Sequence, residues 1–320
     1  MEIAPGIHRI VAPLGDRFNA IYLFAGPESA LIVDTGLDGD PDAIIAPYLA
    51  GIGFDPARIR FVLNTHGDYD HTGGNASMRR LSGNALLICG EADRALVEDL
   101  ERMISDRYGE FAADHGLDDT AETKQWIREN ATATPIDIGL TGGERIHLGD
   151  GWHVEILHTP GHSLGSMSVW DPRSRSLAIG DAVLWNAVLL ADGAAAFPPT
   201  YRYVESYVAT IQRLQAMPID RLLTSHYPVY EGTAVASFLA ESRAYVDRVD
   251  ATLLAELAGA PALTLASLTT RLGPALGDWP MPASQYLCYP LLGHLERLER
   301  QRLVTRTRND GSEVAWRSAT

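Results

Sequence analysis

Four side chains of the kinds that bind metal ions are crowded into one stretch of this 320-residue chain, THGDYDHTGGN at 65–75. They are His66, Asp68, Asp70 and His71, and they follow the apolar run IRFVLN, which predicts a strand. Neutral imidazole and carboxylate oxygens are what divalent metals bind in proteins. Side chains so close in sequence converge only if the backbone turns sharply, and we expect the Gly73-Gly74 pair to permit that turn.

More residues of these kinds stand where other predicted strands end. His162 follows an apolar strand and a Pro-Gly turn in HTPGHSLGS, Asp181 ends SLAIGD, and His226 ends RLLTSH. Taken singly, each would be interpreted as a structural residue. One short loop cannot complete the coordination of two metals, so the repeated position at strand ends favours a shared metal site.

The order of these residues resembles that of the metallo-β-lactamase superfamily. The resemblance rests on His-x-x-x-Asp-His at 66–71, on His162, Asp181 and His226 in that order, and on VDTG at 33–36. It spans roughly residues 5 to 230. It implies an α/β fold, the αββα sandwich, with a dinuclear metal site at one edge.

The same resemblance implies a role for each of these residues. The ligands divide into His66, Asp68 and His162 for the first metal, Asp70, His71 and His226 for the second, and Asp181 as a bridge. Asp34 would orient the ligand loop from behind. Asp70 is also the predicted catalytic residue, because its carboxylate could orient the attacking water or accept its proton.

Position 68 departs from the usual pattern, since most members of the superfamily carry histidine where this chain has Asp68. Two divalent ions, zinc first, are the expected cofactors. A carboxylate is harder than imidazole and adds a negative charge, so Asp68 makes iron or manganese an alternative. The flavodiiron branch resembles this chain in placing a carboxylate there, but no flavodoxin-like domain follows. A second interpretation is that Asp68 reaches the metal poorly and the first site is weak or empty.

A substrate wall is expected after Asp181, where aromatic residues are frequent. We predict contacts with the substrate from Trp185, Tyr201 and Tyr227, the last directly after His226. Ser163 and Ser166 in GHSLGS lack the context of a nucleophile, so hydrogen bonding within the loop is the interpretation for them.

The rest of the chain divides into two predicted domains, a catalytic domain at 1–245 and a winged-helix-like domain at 246–320. Residues 91–130 interrupt the strands with helical periodicity, as either a packed helical hairpin or a lid over the site. After residue 245 come helices and then two short strand-like runs around Asn309-Asp310-Gly311. This arrangement resembles the β-lactamase-like protein 2 branch of the superfamily.

Composition restricts the partners. The formal net charge is −15 and the pI is near 5.0, which disfavours nucleic acid and anionic membranes. Neither a signal peptide nor a membrane span is apparent, so we expect a cytoplasmic protein. The two cysteines, Cys89 and Cys288, are expected to be reduced and near the core. The apolar face of YPLLGHLERLERQRLV predicts a contact with the catalytic domain or with a second copy in a homodimer.

Three functions remain open at this point. The first is a dinuclear metal-dependent hydrolase of a small ester, thioester or lactone. The second is a single-stranded RNA nuclease or phosphodiesterase that uses the winged helix to hold the strand. The third is a non-hydrolytic protein of the same fold, either an iron-dependent oxidoreductase or a binding protein.

Overall fold

Two β-sheets and the helices on their outer faces make up the catalytic part of the protein. The computed structural model describes residues 1–83, 85–308 and 313–319. The first sheet has seven strands in sequence order, β1 Glu2–Ala4, β2 Ile7–Leu14, β3 Arg17–Ala25, β4 Ala30–Val33, β5 Ile59–Asn64, β6 Leu86–Gly90 and β7 Ile138–Leu140.

The second sheet has six strands, β8 Arg145–Gly149, β9 Trp152–His158, β10 Met167–Asp171, β11 Ser176–Gly180, β14 Arg221–Thr224 and β15 Tyr230–Glu231. Their order across the sheet is β15-β14-β11-β10-β9-β8. A separate two-stranded hairpin, β12 Val188–Leu189 and β13 Ala195–Phe197, stands between β11 and β14 in the chain.

Eleven α-helices lie within the described residues. They are α1 Ala46–Gly51, α2 Tyr69–Thr72, α3 Asn75–Ser82, α4 Arg94–Glu98, α5 Leu100–Arg102, α6 Ala112–His115, α7 Ala121–Asn130, α8 Val204–Gln215, α9 Thr233–Leu257, α10 Leu265–Leu276 and α11 Cys288–Arg300. Wider turns of π-helix cover Pro41–Ile45 and Met103–Tyr108, and 3-10 turns cover Pro56–Arg58, Glu91–Asp93 and Met281–Leu287. In these residues no helix combines the length and apolarity needed to cross a bilayer.

The alternation of side chains along the strands explains the layers. In β3, Tyr22 and Phe24 pack against the second sheet, whereas Ile21 and Leu23 pack against the helices on the outer face. This period of two buries both faces of a strand. The outer face of the second sheet is covered in turn by α8 and α9. The result is the predicted αββα sandwich.

The C-terminal region continues from this sandwich without a break in the core. Residue 245 lies in the middle of α9, and one apolar cluster joins Ile179 and Leu222 of the second sheet to Leu268 and Leu295 of α10 and α11. Leucines 291, 292, 295 and 298, the proposed contact face, are buried in this cluster, and Leu303 is exposed. The contact face is therefore used within the chain.

Three short strands complete the C-terminal region, β16 Leu263–Thr264, β17 Val304–Arg308 and β18 Val314–Ser318, in the order β16-β18-β17. The order observed is a helix, a short strand, two helices and a hairpin, so the predicted helices and hairpin are present with β16 added. The winged-helix-like domain at 246–320 stays a prediction. The predicted turn at Asn309-Asp310-Gly311 lies outside the described residues. Both cysteines, Cys89 and Cys288, are free and buried, as predicted.

Candidate metal centre

The ends of parallel strands bring the predicted ligands to one edge of the sandwich. In the first sheet β4 and β5 are parallel, so Asp34 and His66 follow neighbouring strand ends. In the second sheet β11 and β14 are parallel, which does the same for Asp181 and His226. His162 arrives on the loop after β9. The carboxyl ends of parallel strands meet at one edge, as in other α/β sites.

The ligand loop itself turns through the single helical turn α2, which carries Asp70 and His71. The reason predicted for Gly73 and Gly74 is wrong, because their φ angles are −57° and −83°, which any residue adopts. Space is what requires glycine. A Cβ on Gly74 would lie 2.5 Å from the Thr35 carbonyl oxygen, and one on Gly73 would lie 2.7 Å from that of Tyr69.

Hydrogen bonds behind the site fix two of the imidazoles. Nδ1 of His71 lies 2.8 Å from Asp34 Oδ2, and Asp34 also accepts bonds from the backbone N–H and hydroxyl of Thr65 at 2.7 and 2.9 Å. Nδ1 of His226 lies 2.9 Å from the carbonyl oxygen of Phe18. Because an acceptor at Nδ1 holds a proton on that nitrogen, Nε2 is the ring nitrogen left to bind a metal in both residues.

Both halves of the centre have the composition of a cation site. Around Asp68, one oxygen or nitrogen from each of His66, Asp68 and His162 lies within 4.8 Å of the others. In the half around Asp70, the same holds for Asp70, His71 and His226 and for His66, His71 and Asp181. Within the described residues, His66 Nε2, His71 Nε2 and Asp181 Oδ1 are buried without a hydrogen-bond partner. Buried polar atoms are rarely left in this state, so these side chains fit a divalent metal.

Negative charge dominates the half around Asp70. Burial alone would lower the pKa of His71, but the carboxylates of Asp70 and Asp34 raise it to about 10. Burial likewise opposes charge on Asp181, but His226 and the other imidazoles hold the pKa of that carboxyl well below its usual range. The Asp181 carboxylate is therefore ionised, and its charge attracts a cation.

The other half of the centre, around Asp68, contains an arginine that the sequence did not predict. Arg107 donates from Nε to Asp68 Oδ1 at 2.9 Å and from Nη2 to Asp68 Oδ2 at 3.1 Å. The same Nη2 lies 3.0 Å from His162 Nε2. Burial would raise the pKa of Asp68, but the Arg107 charge and bonds from His162 and His66 hold it well below the usual range. Burial and the same arginine lower the pKa of His162 to about 4.

Asp93 is a second residue that sequence reasoning missed. Its buried carboxylate accepts bonds from the backbone N–H of Gly67 at 3.1 Å and of Gly165 at 2.7 Å, and from the hydroxyl of Ser163. It thereby ties the ligand loop to the loop that carries His162. Its position in the sequence could have indicated it, because Asp93 stands three residues after β6 and the other site residues also follow strand ends.

A cavity of about 320 Å³ opens directly onto the centre. Its polar end is formed by Asp68, Asp70, His162, Asp181 and His226. Its other walls are largely apolar or aromatic and come from the helical insertion, from the β12-β13 hairpin and from the C-terminal region, namely Tyr69, Tyr108, Ile127, Val188, Leu190, Phe197, Tyr286 and Tyr289. The insertion at 91–130 therefore supplies one wall of the site.

The three aromatic residues predicted to contact substrate lie outside the walls of this cavity. Tyr201 is fully buried, stacked on Tyr207 and hydrogen bonded to His294. The Tyr227 hydroxyl donates to the carbonyl oxygen of Ala187 at 2.9 Å and accepts from the N–H of Trp185. The Trp185 indole donates to Glu241, in a different depression of the surface. These residues follow the ligands in sequence, but their rings point into the core or away from the cavity.

This fold and this edge of ligand-type residues define a class of protein. Residues 14–226 match the Metallo-beta-lactamase superfamily, which is more than half of the chain. The chain belongs to that superfamily, and it is a metal-dependent hydrolase within it.

Named relatives lie at modest identity. The chain is 26% identical to the acyl-coenzyme A thioesterase MBLAC2 of Bos taurus over 235 residues, 68% of this chain and 75% of that protein. It is 25% identical to the hydroxyacylglutathione hydrolase of Rhodospirillum rubrum over 178 residues, 55% of this chain and 51% of that protein.

Solved structures share the fold over nearly the whole chain. A metallo-beta-lactamase family protein from Thermus thermophilus superposes with a TM-score of 0.78 at 20% identity, covering 99% of this chain and 100% of that one. A beta-lactamase domain protein from Burkholderia ambifaria gives 0.76 at 18% identity, covering 99% and 93%. The C-terminal region is included in both superpositions.

Proposed function

We propose that this protein hydrolyses thioesters of small carboxylic acids at a divalent metal held by its histidine and aspartate cluster. The observation that carries the proposal is the cavity, which has aspartates and histidines at one end and largely apolar walls at the other. A thioester has the same two parts, a reactive carbonyl and an apolar acyl chain. Binding pockets for small molecules commonly combine a few polar groups with apolar walls.

The residues proposed to hold the metal are Asp70, His71, His226 and Asp181, with His66 beside them. A divalent metal in such a position supplies Lewis-acid chemistry, since it polarises a carbonyl oxygen and makes water more acidic. Asp34 keeps His71 in the tautomer with a free Nε2, as described above. The Asp70 carboxylate lines the cavity, where it is proposed to orient the attacking water and accept its proton.

The apolar walls are proposed to bind the acyl chain. Phe197 of the β12-β13 hairpin and Tyr286 of the C-terminal region lie with ring centroids 5.5 Å apart, so two distant parts of the chain form one surface. Arg17, which also lines the cavity, lies over the Phe197 ring at 4.9 Å and covers part of it. Excluding water from this wall favours attack at the carbonyl carbon by the one water that Asp70 orients.

The relatives support a thioester over an oxygen ester. The names acyl-coenzyme A thioesterase and hydroxyacylglutathione hydrolase both denote cleavage of a thioester. The two differ in the thiol that leaves, and the proposal specifies the acyl side alone.

The nuclease alternative has less support in the charges. C-terminal arginines that could form a basic patch are paired with acids, Arg306 with Glu299 at 2.7 Å, Arg297 with Asp250 at 3.1 Å, and Arg300 with Glu205. Arginines neutralised in this way contribute little to binding a phosphate backbone.

The test is a matched substrate series. Zinc-loaded protein would be given thioesters of increasing acyl length on coenzyme A and on N-acetylcysteamine, the corresponding oxygen esters, and a chromogenic phosphodiester. We expect thiol release that depends on acyl length on either thiol. Asp70→Asn should lower that rate by about 10²- to 10⁴-fold. Asp171→Asn is the control, because Asp171 is a buried carboxylate remote from the centre. Turnover of the phosphodiester with no thiol release would contradict the proposal.

A further inference from the structure

The first half of the centre already contains a cation. The Arg107 guanidinium binds Asp68 through two parallel hydrogen bonds of 2.9 and 3.1 Å, which use one oxygen each. Its Nη2 lies 3.0 Å from His162 Nε2. The same His162 Nε2 also lies 3.0 Å from Asp68 Oδ2. In one tautomer it accepts from Arg107 and in the other it donates to Asp68, so in both the nitrogen that a metal would need is already hydrogen bonded. Two of the three side chains predicted for the first metal are therefore engaged in the cluster around Arg107.

Two contacts with Tyr289 hold Arg107 in this position. Its guanidinium lies over the Tyr289 ring at 4.5 Å, and its own carbonyl oxygen accepts from the Tyr289 hydroxyl at 3.1 Å. The backbone around it forms a turn of π-helix at Met103–Tyr108, a geometry frequent at functional sites. Its side chain is 7% exposed, and that of Asp68 is 11% exposed. The pair is thus built into the fold by the insertion and the C-terminal region together.

The two halves of the centre differ in what they leave free. Within the described residues, the unpartnered buried atoms among the ligands that face the second half are His71 Nε2, Asp181 Oδ1 and the shared His66 Nε2. Both oxygens of Asp68 are bonded. A metal entering the first half would have to displace the guanidinium or lie against it, and two like charges in a buried site repel strongly.

We propose that Arg107 is the resident cation of the first half, so that the protein binds one divalent metal tightly, through Asp70, His71, His226 and Asp181. The proposal rests on the metal centre of the proposed function and specifies its stoichiometry. It replaces the expectation of two metals. It also accounts for Asp68, because a planar carboxylate matches the two donors of a guanidinium, which an imidazole at that position would not.

The experiment measures metal content. Purified full-length protein would be saturated with Zn²⁺, freed of unbound metal by gel filtration, and analysed for zinc per chain. We expect about one zinc for the wild type and about two for Arg107→Met, in which Asp68 and His162 are released. Arg102→Ala is the matched control, since Arg102 lies in the same insertion but pairs with the exposed Asp106, and it should keep the wild-type value.

Two further variants keep the test decisive if Arg107→Met fails to fold. In the wild-type background, Asp68→Asn should retain about one zinc, whereas His71→Ala should lose at least tenfold in zinc affinity. Two zinc ions in the wild type, or one in both the wild type and a folded Arg107→Met, would overturn the proposal while leaving the hydrolase proposal intact. A wild type that binds no zinc, iron or manganese would overturn the metal centre and the proposed function with it.

Discussion

Asp34→Asn is the sharpest test of how the fold prepares the metal centre. Asp34 is 1% exposed and stands in the left-handed region at a φ of 66°, a conformation that asparagine tolerates at least as well as aspartate. The substitution therefore keeps the size of the side chain and the backbone, and changes the charge and one acceptor. The structure indicates which bonds are lost.

Two of the three bonds to Asp34 converge on Oδ2, from His71 Nδ1 and the Thr65 hydroxyl. If the asparagine oxygen takes the backbone N–H of Thr65, its NH₂ group faces those two donors. His71 then favours the other tautomer, with a proton on the Nε2 that should bind metal. Loss of such an orienting partner costs about 10- to 100-fold in metal affinity, or about 1.4–2.7 kcal/mol.

The assay is zinc titration of the apo protein in competition with a chromophoric chelator. Urea unfolding in the presence of chelator measures the separate loss of apo stability, about 1–3 kcal/mol for each buried donor left unpaired. Asp171→Asn is the control, because Asp171 is also fully buried and accepts a bond from the Trp152 indole at 3.0 Å. It should lose stability and keep its zinc affinity. Wild-type zinc affinity in a cooperatively folded Asp34→Asn would refute the reasoning.

Two other predictions concern the cavity. Phe197→Ala removes an aromatic side chain of the cavity wall beside Tyr286. It should raise KM for long acyl thioesters by about 10-fold, equivalent to about 1.4 kcal/mol of lost apolar contact, and should affect acetyl thioesters less. Equal effects on both substrates would place Phe197 outside the acyl site. Burial, and then the neighbouring Asp118, raise the pKa of Asp119 to about 6. Its folded pKa exceeds its unfolded pKa, so its contribution to stability falls as pH rises from about 4 to about 6. Asp119→Asn should match the apo wild type in Tm near pH 4 and exceed it by about 2–4 °C above pH 7, after discounting for partial exposure; a constant difference across this range would contradict the assignment.

Local patterns in the sequence predict most of the fold. The strands around the site are recognisable as short apolar runs bounded by glycine, aspartate and proline, and the helical insertion shows its period of apolar residues. The order of the ligand-type residues at strand ends is enough to indicate the superfamily. The boundary near 245 came from a change in charge composition, and a helix such as α9 can carry that change without interrupting the core.

Arg107 shows where local patterns stop being informative. It stands four residues after Met103 and four before Phe111, so it lies on the apolar face of the insertion, and a charge on such a face is a signal of a buried partner. The identity of that partner depends on a separation of 39 residues to Asp68. Nothing in the sequence between residues 68 and 107 indicates that the two side chains lie close together in space.

The sequence by itself determined the chemistry available, because ligand type and strand-end position are properties of each residue and its neighbours. The tertiary structure decided which of these groups meet. The aromatic residues Trp185, Tyr201 and Tyr227 follow the ligands in sequence but turn into the core or away, whereas Tyr286 and Tyr289, far along the chain, reach the cavity. The same packing places Arg107 on Asp68. Burial is the physical reason, because a carboxylate removed from water must be paired with a cation, and the tertiary structure decides which cation lies beside it.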